Sequence, residues 1–94
     1  MIVRIVQMTF RPDQVKEFTS LFYQRRQTIS SFPGCTHLEL WRDSTHENVF
    51  FTYSIWNSEA DLNHYRFSEF FKDTWAKTKA LFAGKPQAWS LSVM

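Results

Sequence analysis

Trp56-Asn57-Ser58-Glu59-Ala60-Asp61-Leu62, continued by Tyr65-Arg66-Phe67-Ser68-Glu69-Phe70-Phe71, joins an apolar strand to a helix and then starts a second helix. Upstream, Phe50 to Trp56 is rich in β-branched and aromatic residues, the composition of a strand. Ser58 supplies an N-cap oxygen, and Glu59 and Asp61 put negative charge in the first turn, where the helix dipole favours it. The apolar phase then slips near Phe67. Leu62 and Tyr65 share one face, whereas Phe70, Phe71, Thr74, Trp75, Thr78, Leu81 and Phe82 recur at helical spacing on another side. Ser68, with Glu69 behind it, is placed to cap this second segment. The pattern predicts two short helices with a bend, and a bend between aromatic stripes makes a pocket wall.

Working outward, Ile2 to Phe10 reads as a strand apolar on both faces, interrupted only by Arg4 and Gln7, so both faces are covered. Pro12 suits the first position of a helix whose Val15, Phe18, Phe22 and Ile29 hold one face, and Phe32-Pro33-Gly34 stops it. From Cys35 to Arg42, Leu38 and Leu40 alternate with His37, Glu39 and Trp41, which is the period of a strand. Asp43 to Asn48 is a polar turn into the strand Val49 to Trp56. After the bent helix, Gly84 and Pro86 end the helical run, and Ala88 to Val93 forms a last strand with Trp89, Leu91 and Val93 on one side. The order βαββαβ is the ferredoxin-like arrangement, an α+β fold with a four-stranded antiparallel sheet and its helices on one face. The other sheet face is also apolar, so a second copy is expected to cover it, giving a two-fold homodimer.

A chain of 94 residues is read as a single domain spanning residues 1–94, and a domain this small buries roughly 60–65% of the surface of its unfolded chain. Its 10 Phe, 4 Trp and 3 Tyr exceed what one small core hides, which points to a second apolar surface closed by a partner subunit or a ligand. A net charge of +2 from 11 basic and 9 acidic residues, spread along the chain, is no footprint for nucleic acid or acidic lipid. The strand Asn48 to Tyr53 also lacks the glycines and the leading basic residue of an RNA-recognition signature. Cys35 is alone, so neither a disulfide framework nor a thiolate metal cluster is expected. The start Met1-Ile2-Val3-Arg4-Ile5 has no secretory signal pattern, and no segment approaches the ~20 apolar residues of a membrane span. A cytoplasmic location is the expectation.

The chain resembles the antibiotic biosynthesis monooxygenase family of the dimeric α+β barrel superfamily. The residues that carry the likeness are Phe32-Pro33-Gly34-Cys35 leading into Leu38-Glu39-Leu40 and Arg42, then Trp56-Asn57-Ser58-Glu59, then Ser68 with Phe71, and Leu81-Phe82 before the last strand. The resemblance implies a homodimer that oxidises a small electron-rich aromatic such as a quinol or anthrone with molecular oxygen, using no cofactor and no metal. The substrate anion supplies the electrons, and the protein supplies a dry cavity and hydrogen-bond groups. Many members place a histidine three residues before the serine matched by Ser68; this chain has Tyr65 there, with His64 about 100° round the helix. The haem-degrading branch uses an asparagine, a tryptophan and a histidine at places that correspond to Gln7, Tyr65 and Trp75, so haem ligation is not expected.

Tyr65 and Gln7 are the candidate catalytic residues. Tyr65 either orients a substrate oxygen or is an amphipathic side chain at a helix bend, and with an unperturbed pKa near ~10 it is a poor base. Gln7 either points into a pocket or bonds a neighbouring loop. Trp75, Phe71, Phe22 and Ser68 are the candidate substrate-binding residues, with the core as the competing role for Trp75. His37, Glu39 and Trp41 form either a polar patch inside the dimer barrel or an exposed strand face. His46 and Glu47 lack metal-ligand spacing, Cys35 lacks an activating neighbour, and Arg25-Arg26 reads as a solvated face with Arg11 and Arg42 at a dimer edge. The competing functional class is a non-catalytic ligand-binding or structural homodimer of the same fold.

Overall fold

Strand β1 (Ile2–Thr9) occupies the middle of the sheet because it is apolar on both faces and pairs along both edges. The computed structural model describes residues 1–94. A 3-10 turn, Pro12–Gln14, leads into α1 (Val15–Ser30), and β2 (Cys35–Arg42) and β3 (Val49–Trp56) follow as a hairpin. Helices α2 (Glu59–Arg66) and α3 (Glu69–Lys79) precede β4 (Gln87–Ser92). The four strands are antiparallel in the order β2-β3-β1-β4, with Val6 opposite Thr52 and Ala88, and Gln7 opposite Phe51 and Gln87. This is the ferredoxin-like α+β fold.

Gly34 makes the turn out of α1 with φ 87°, a left-handed backbone that L side chains rarely adopt. Its carbonyl accepts from the Asn57 backbone N–H at 2.8 Å, and so ties the start of β2 to the entry of α2. The chain reverses between β2 and β3 where Asp43 Oδ1 accepts from the backbone N–H groups of Thr45 at 2.7 Å and His46 at 2.8 Å. That pattern is a side-chain-capped turn.

The bend between α2 and α3 is built from two serine caps. Ser58 Oγ accepts from Asp61 N at 3.1 Å, and Ser68 Oγ accepts from Phe71 N at 3.1 Å while donating to the Tyr65 carbonyl at 2.6 Å. A cap of this kind is worth about 1 kcal/mol, enough to restart the helix on a new axis. Phe67, at the corner, is left 71% exposed. The second helix stops at Lys79, earlier than the periodicity of Leu81 and Phe82 implies. The end of β1 and the two residues after it capture this segment: Phe82 forms an isolated β-bridge with Phe10, Arg11 N donates to Leu81 O, and Ala83 N donates to Thr9 O. Strand β4 likewise starts one residue early at Gln87 and ends at Ser92.

The core lies between the sheet and the helices. Met8, Phe10, Phe18, Phe22 and Phe50 are its buried centre. Phe10 is fully buried and stacks on Phe18 with ring centroids 4.0 Å apart, with the Phe50 and Phe82 rings close by. Such pairs add about 0.5–1.5 kcal/mol each beyond burial. Alternation fixes which residues join them: Arg4, Val6 and Met8 face the helices, and Val3, Ile5, Gln7 and Thr9 face the other way.

The opposite sheet face carries no helix. Phe51, Tyr53 and Ile55 of β3 lie beside Trp41 on one side and Ile5, Trp89 and Leu91 on the other. Trp41 is 43% exposed and Trp89 41%. Trp41 stacks on Tyr53 at 4.7 Å, and Glu39 accepts from Trp41 Nε1 at 2.8 Å and pairs with His37. The His37-Glu39-Trp41 triplet is therefore an exposed network on this face.

Candidate functional site

A cavity of about 330 Å³ lies between the helix-facing side of the sheet and helices α2 and α3. That is at the small end of the ~300–1,000 Å³ typical of ligand sites. Its existence follows from side-chain size along β4. Gln87-Ala88-Trp89-Ser90-Leu91-Ser92 alternates small with large, and the small residues stand on the helix side. Ala88 fills little of the space opposite Trp75 and Phe71, and the packing of β4 is with β1.

Aromatic side chains pack against one another along the walls. Tyr65 stacks on Trp56 at 5.1 Å and meets Phe32 and Phe71 edge-on, each at 5.0 Å. Phe71 stacks on Trp75 at 6.0 Å, and Trp75 meets Phe82 edge-on at 5.6 Å. Trp56 is 1% exposed and donates Nε1–H to the buried Ser54 Oγ at 3.0 Å, which fixes the floor beneath Tyr65. Arg25 of α1 bonds Thr74 Oγ1 and Asp73 of α3, each at 2.9 Å, and lies over the Phe70 ring. The expected solvated Arg25-Arg26 face is thus half right: Arg26 is exposed, and Arg25 is a partly buried clamp between helices.

The polar residues of the cavity are Arg4, Arg66 and Tyr65 together with Thr52, Ser54, Thr74, Thr78 and Gln87, whose hydroxyls and amide both donate and accept. The Tyr65 phenol makes no hydrogen bond within the protein, and burial pushes its pKa far above the ordinary phenol value, with a smaller contribution from Cys35. It is a neutral O–H, able to donate but not to act as a base. Trp75 also lines the cavity, as do Arg4 of β1 and Arg66 at the end of α2. Burial, then the nearby Arg66 charge, lowers the pKa of the Arg4 guanidinium. No carboxylate, imidazole or thiol is among the lining residues. Cys35 sits outside, with its thiol pushed up by burial. No three His, Cys, Asp or Glu side chains converge as metal ligands.

Of the residues expected from the sequence, the structure gathers Tyr65, Phe71, Trp75 and Phe22 around one cavity. Gln7 is not among them. It occupies an odd position of β1, opposite Phe51 and Gln87, and so stands on the helix-free face. Ser68 does not line the cavity either, because its hydroxyl is used in capping α3. His64 is exposed beside Phe32. Sequence reasoning missed Arg4 and Arg66. The signal for Arg4 was its parity, since it shares a strand face with Met8 and Phe10, where a charge is out of place.

The sequence profile of the antibiotic biosynthesis monooxygenase family matches residues 1–77. None of the curated proteins matches the chain. Among solved structures, the crystal structure of an antibiotic biosynthesis monooxygenase has a TM-score of 0.93 at 17% identity, covering 100% of this chain and 99% of the other. A Caulobacter crescentus protein assigned provisionally to the same class has a TM-score of 0.92 at 24% identity, covering 99% and 89%. Rv0793 of Mycobacterium tuberculosis has a TM-score of 0.90 at 16% identity, covering 99% and 94%. At these identities the likeness shows the fold alone. The profile runs from β1 into α3, and the chain belongs to the antibiotic biosynthesis monooxygenase family.

Proposed function

We propose that the protein is a cofactor-independent monooxygenase that oxidises a small electron-rich aromatic, of the quinol or anthrone kind, with molecular oxygen. The observation that carries this reading is the aromatic-walled cavity that holds the Tyr65 hydroxyl, a neutral donor with no partner in the protein. An aromatic substrate fills such a space, and a neutral phenol in low dielectric stabilises negative charge developing on a substrate oxygen. In an anthrone-type reaction a CH2 group becomes C=O; one atom of O2 enters the product and the other leaves as water. Since no side chain in the cavity serves as a base, the substrate enters as its own anion or loses its proton to water.

Tyr65 holds the substrate oxygen in this scheme, and Trp75, Phe71 and Phe22 form the apolar wall. Gln7 belongs to the face between two copies of the chain. The support for a homodimer is the helix-free sheet face, which exposes Trp41 at one edge and Trp89 and Leu91 at the other, large apolar side chains of the kind a second copy covers. The single free thiol, Cys35, fits a reducing, cytoplasmic setting, and no helix is long and apolar enough to cross a membrane. A non-catalytic ligand-binding homodimer is the second reading, favoured by the lack of a base among the lining residues.

Oxygen uptake over a panel of anthrones, quinols and phenols, with heat-unfolded protein as control, tests the proposal. Uptake that requires the folded chain and yields a quinone is expected. No uptake across the panel leaves the ligand-binding dimer.

A further inference from the structure

Arg4 and Arg66 come from different elements, β1 and α2, and both reach the same apolar cavity. Neither takes part in any of the protein's salt bridges, although 9 acidic residues are available to the fold. Arg4 Nη1 donates to Ser90 Oγ at 2.9 Å, which holds the guanidinium on the β4 side, and Arg66 makes no side-chain hydrogen bond at all. The two charges are close enough for the Arg66 charge to disfavour the protonated form of Arg4. Two like charges beside an apolar cavity, without a counter-ion, repel each other and leave most of their N–H donors unused by the protein. An anion between them relieves both costs.

We propose that Arg4 and Arg66 form an anion subsite at the β4 side of the cavity, and that the ligand is a planar aromatic acid whose carboxylate sits between the two guanidiniums. This rests on the reading that the cavity takes an aromatic ligand. A carboxylate fits better than a phenolate because its two oxygens offer about four acceptor sites to the paired guanidinium forks, and a single phenolate oxygen offers fewer. The ring system then lies on Phe71 and Trp75, with the Tyr65 O–H free for a second oxygen on the ring. The subsite thus adds a specificity element at one side of the cavity and leaves the reacting end to Tyr65.

Calorimetric titration with 2-naphthoate and with the neutral 2-naphthamide, on the wild type and on Arg66→Gln and Arg4→Gln, tests the subsite without requiring turnover. The wild type is expected to bind the acid at least ~10-fold more tightly than the amide, the scale of a charge-assisted contact. Each substitution should shrink that preference about tenfold, weakening acid binding far more than amide binding, and raised salt should shrink it in the wild type. Equal binding of acid and amide by the wild type, binding of neither, or a preference that survives both substitutions overturns the proposal. Arg66 ends a surface helix without protein bonds, so Arg66→Gln keeps the test decisive if Arg4→Gln does not fold. A preference for naphthoate without oxygen uptake supports the subsite and sinks the oxidation. Oxygen uptake with no preference for the acid sinks the subsite and spares the oxidation.

Discussion

Tyr65→Phe separates the hydroxyl proposed to hold the substrate oxygen from a packed ring. The ring contacts with Trp56, Phe32 and Phe71 survive the change, and the lost O–H has no hydrogen-bond partner in the protein. Folding stability should therefore stay within about 0.5 kcal/mol, less than ~4 °C in Tm for a domain of this size. Tyr65→Ala, which removes the ring as well, should cost about 3–5 kcal/mol. Function should respond in the opposite way. One donor to a negatively charged substrate oxygen is worth about 1.5–3 kcal/mol, so kcat/KM for oxygen uptake should fall ~13- to 160-fold in the phenylalanine variant, measured on the best substrate of the panel. Burial raises the phenol pKa, so the rate should show no alkaline limb that disappears with the substitution. Stability should show one, because a group with a raised native pKa favours the fold below its unfolded value and loses that contribution as pH rises past about 10. Chemical denaturation across pH reads this directly. A Tm loss beyond ~8 °C, an unchanged kcat/KM, or an alkaline rate limb that the phenylalanine variant abolishes would each refute the reasoning.

Three further outcomes follow from the geometry. At Gly34, an added Cβ overlaps the Asp61 side chain and must also accept a φ of 87°, so Gly34→Ala should lose about 2 kcal/mol and ~8–16 °C in Tm, whereas Gly84→Ala, in open space, should lose nothing; equal melting of the two variants contradicts this. Trp89→Lys puts a charge on the helix-free sheet face and should weaken self-association at least ~30-fold in sedimentation velocity, and a wild type that is monomeric at tens of micromolar removes the basis for the dimer. Asp73 is depressed by its Arg25 and then Lys77 hydrogen bonds, Glu39 by His37 and then Trp41, and Asp43 chiefly by backbone N–H groups. Native pKa values below the unfolded ones mean stability is present above about pH 4 and lost as pH falls through the native values, so Tm should drop from pH 5 downward and Asp73→Asn should flatten the drop; a Tm constant from pH 5 to 2.5 is the contrary result.

The strands β2 and β3 were legible because Leu38 and Leu40 alternate with polar residues and because Val49 to Trp56 is bounded by turn residues. The bend was legible because Ser58 and Ser68 are caps written in local chemistry. The orientation of β1 was not. A strand apolar on both faces gives alternation nothing to distinguish, so Gln7 and Arg4 looked alike as polar interruptions. Only pairing with β3 and β4, together with the burial of Met8 and Phe10, sends Arg4 inward and Gln7 outward. Leu81 and Phe82 continued the helical period in sequence, but distant backbone groups of Phe10 and Arg11 competed for them and won. The cavity itself depends on Ala88 standing across from side chains of α3, a juxtaposition that local pattern does not encode.

In the proposed reaction an aromatic substrate meets oxygen inside the cavity under α2 and α3. The most direct test is oxygen uptake by Ala88→Phe, which sends a ring from β4 into that space, beside the wild type. The wild type should form one quinone per O2 consumed, and a folded Ala88→Phe variant should have at least a ~10-fold lower kcat/KM. Equal uptake by the two proteins, or none by the wild type, would contradict it.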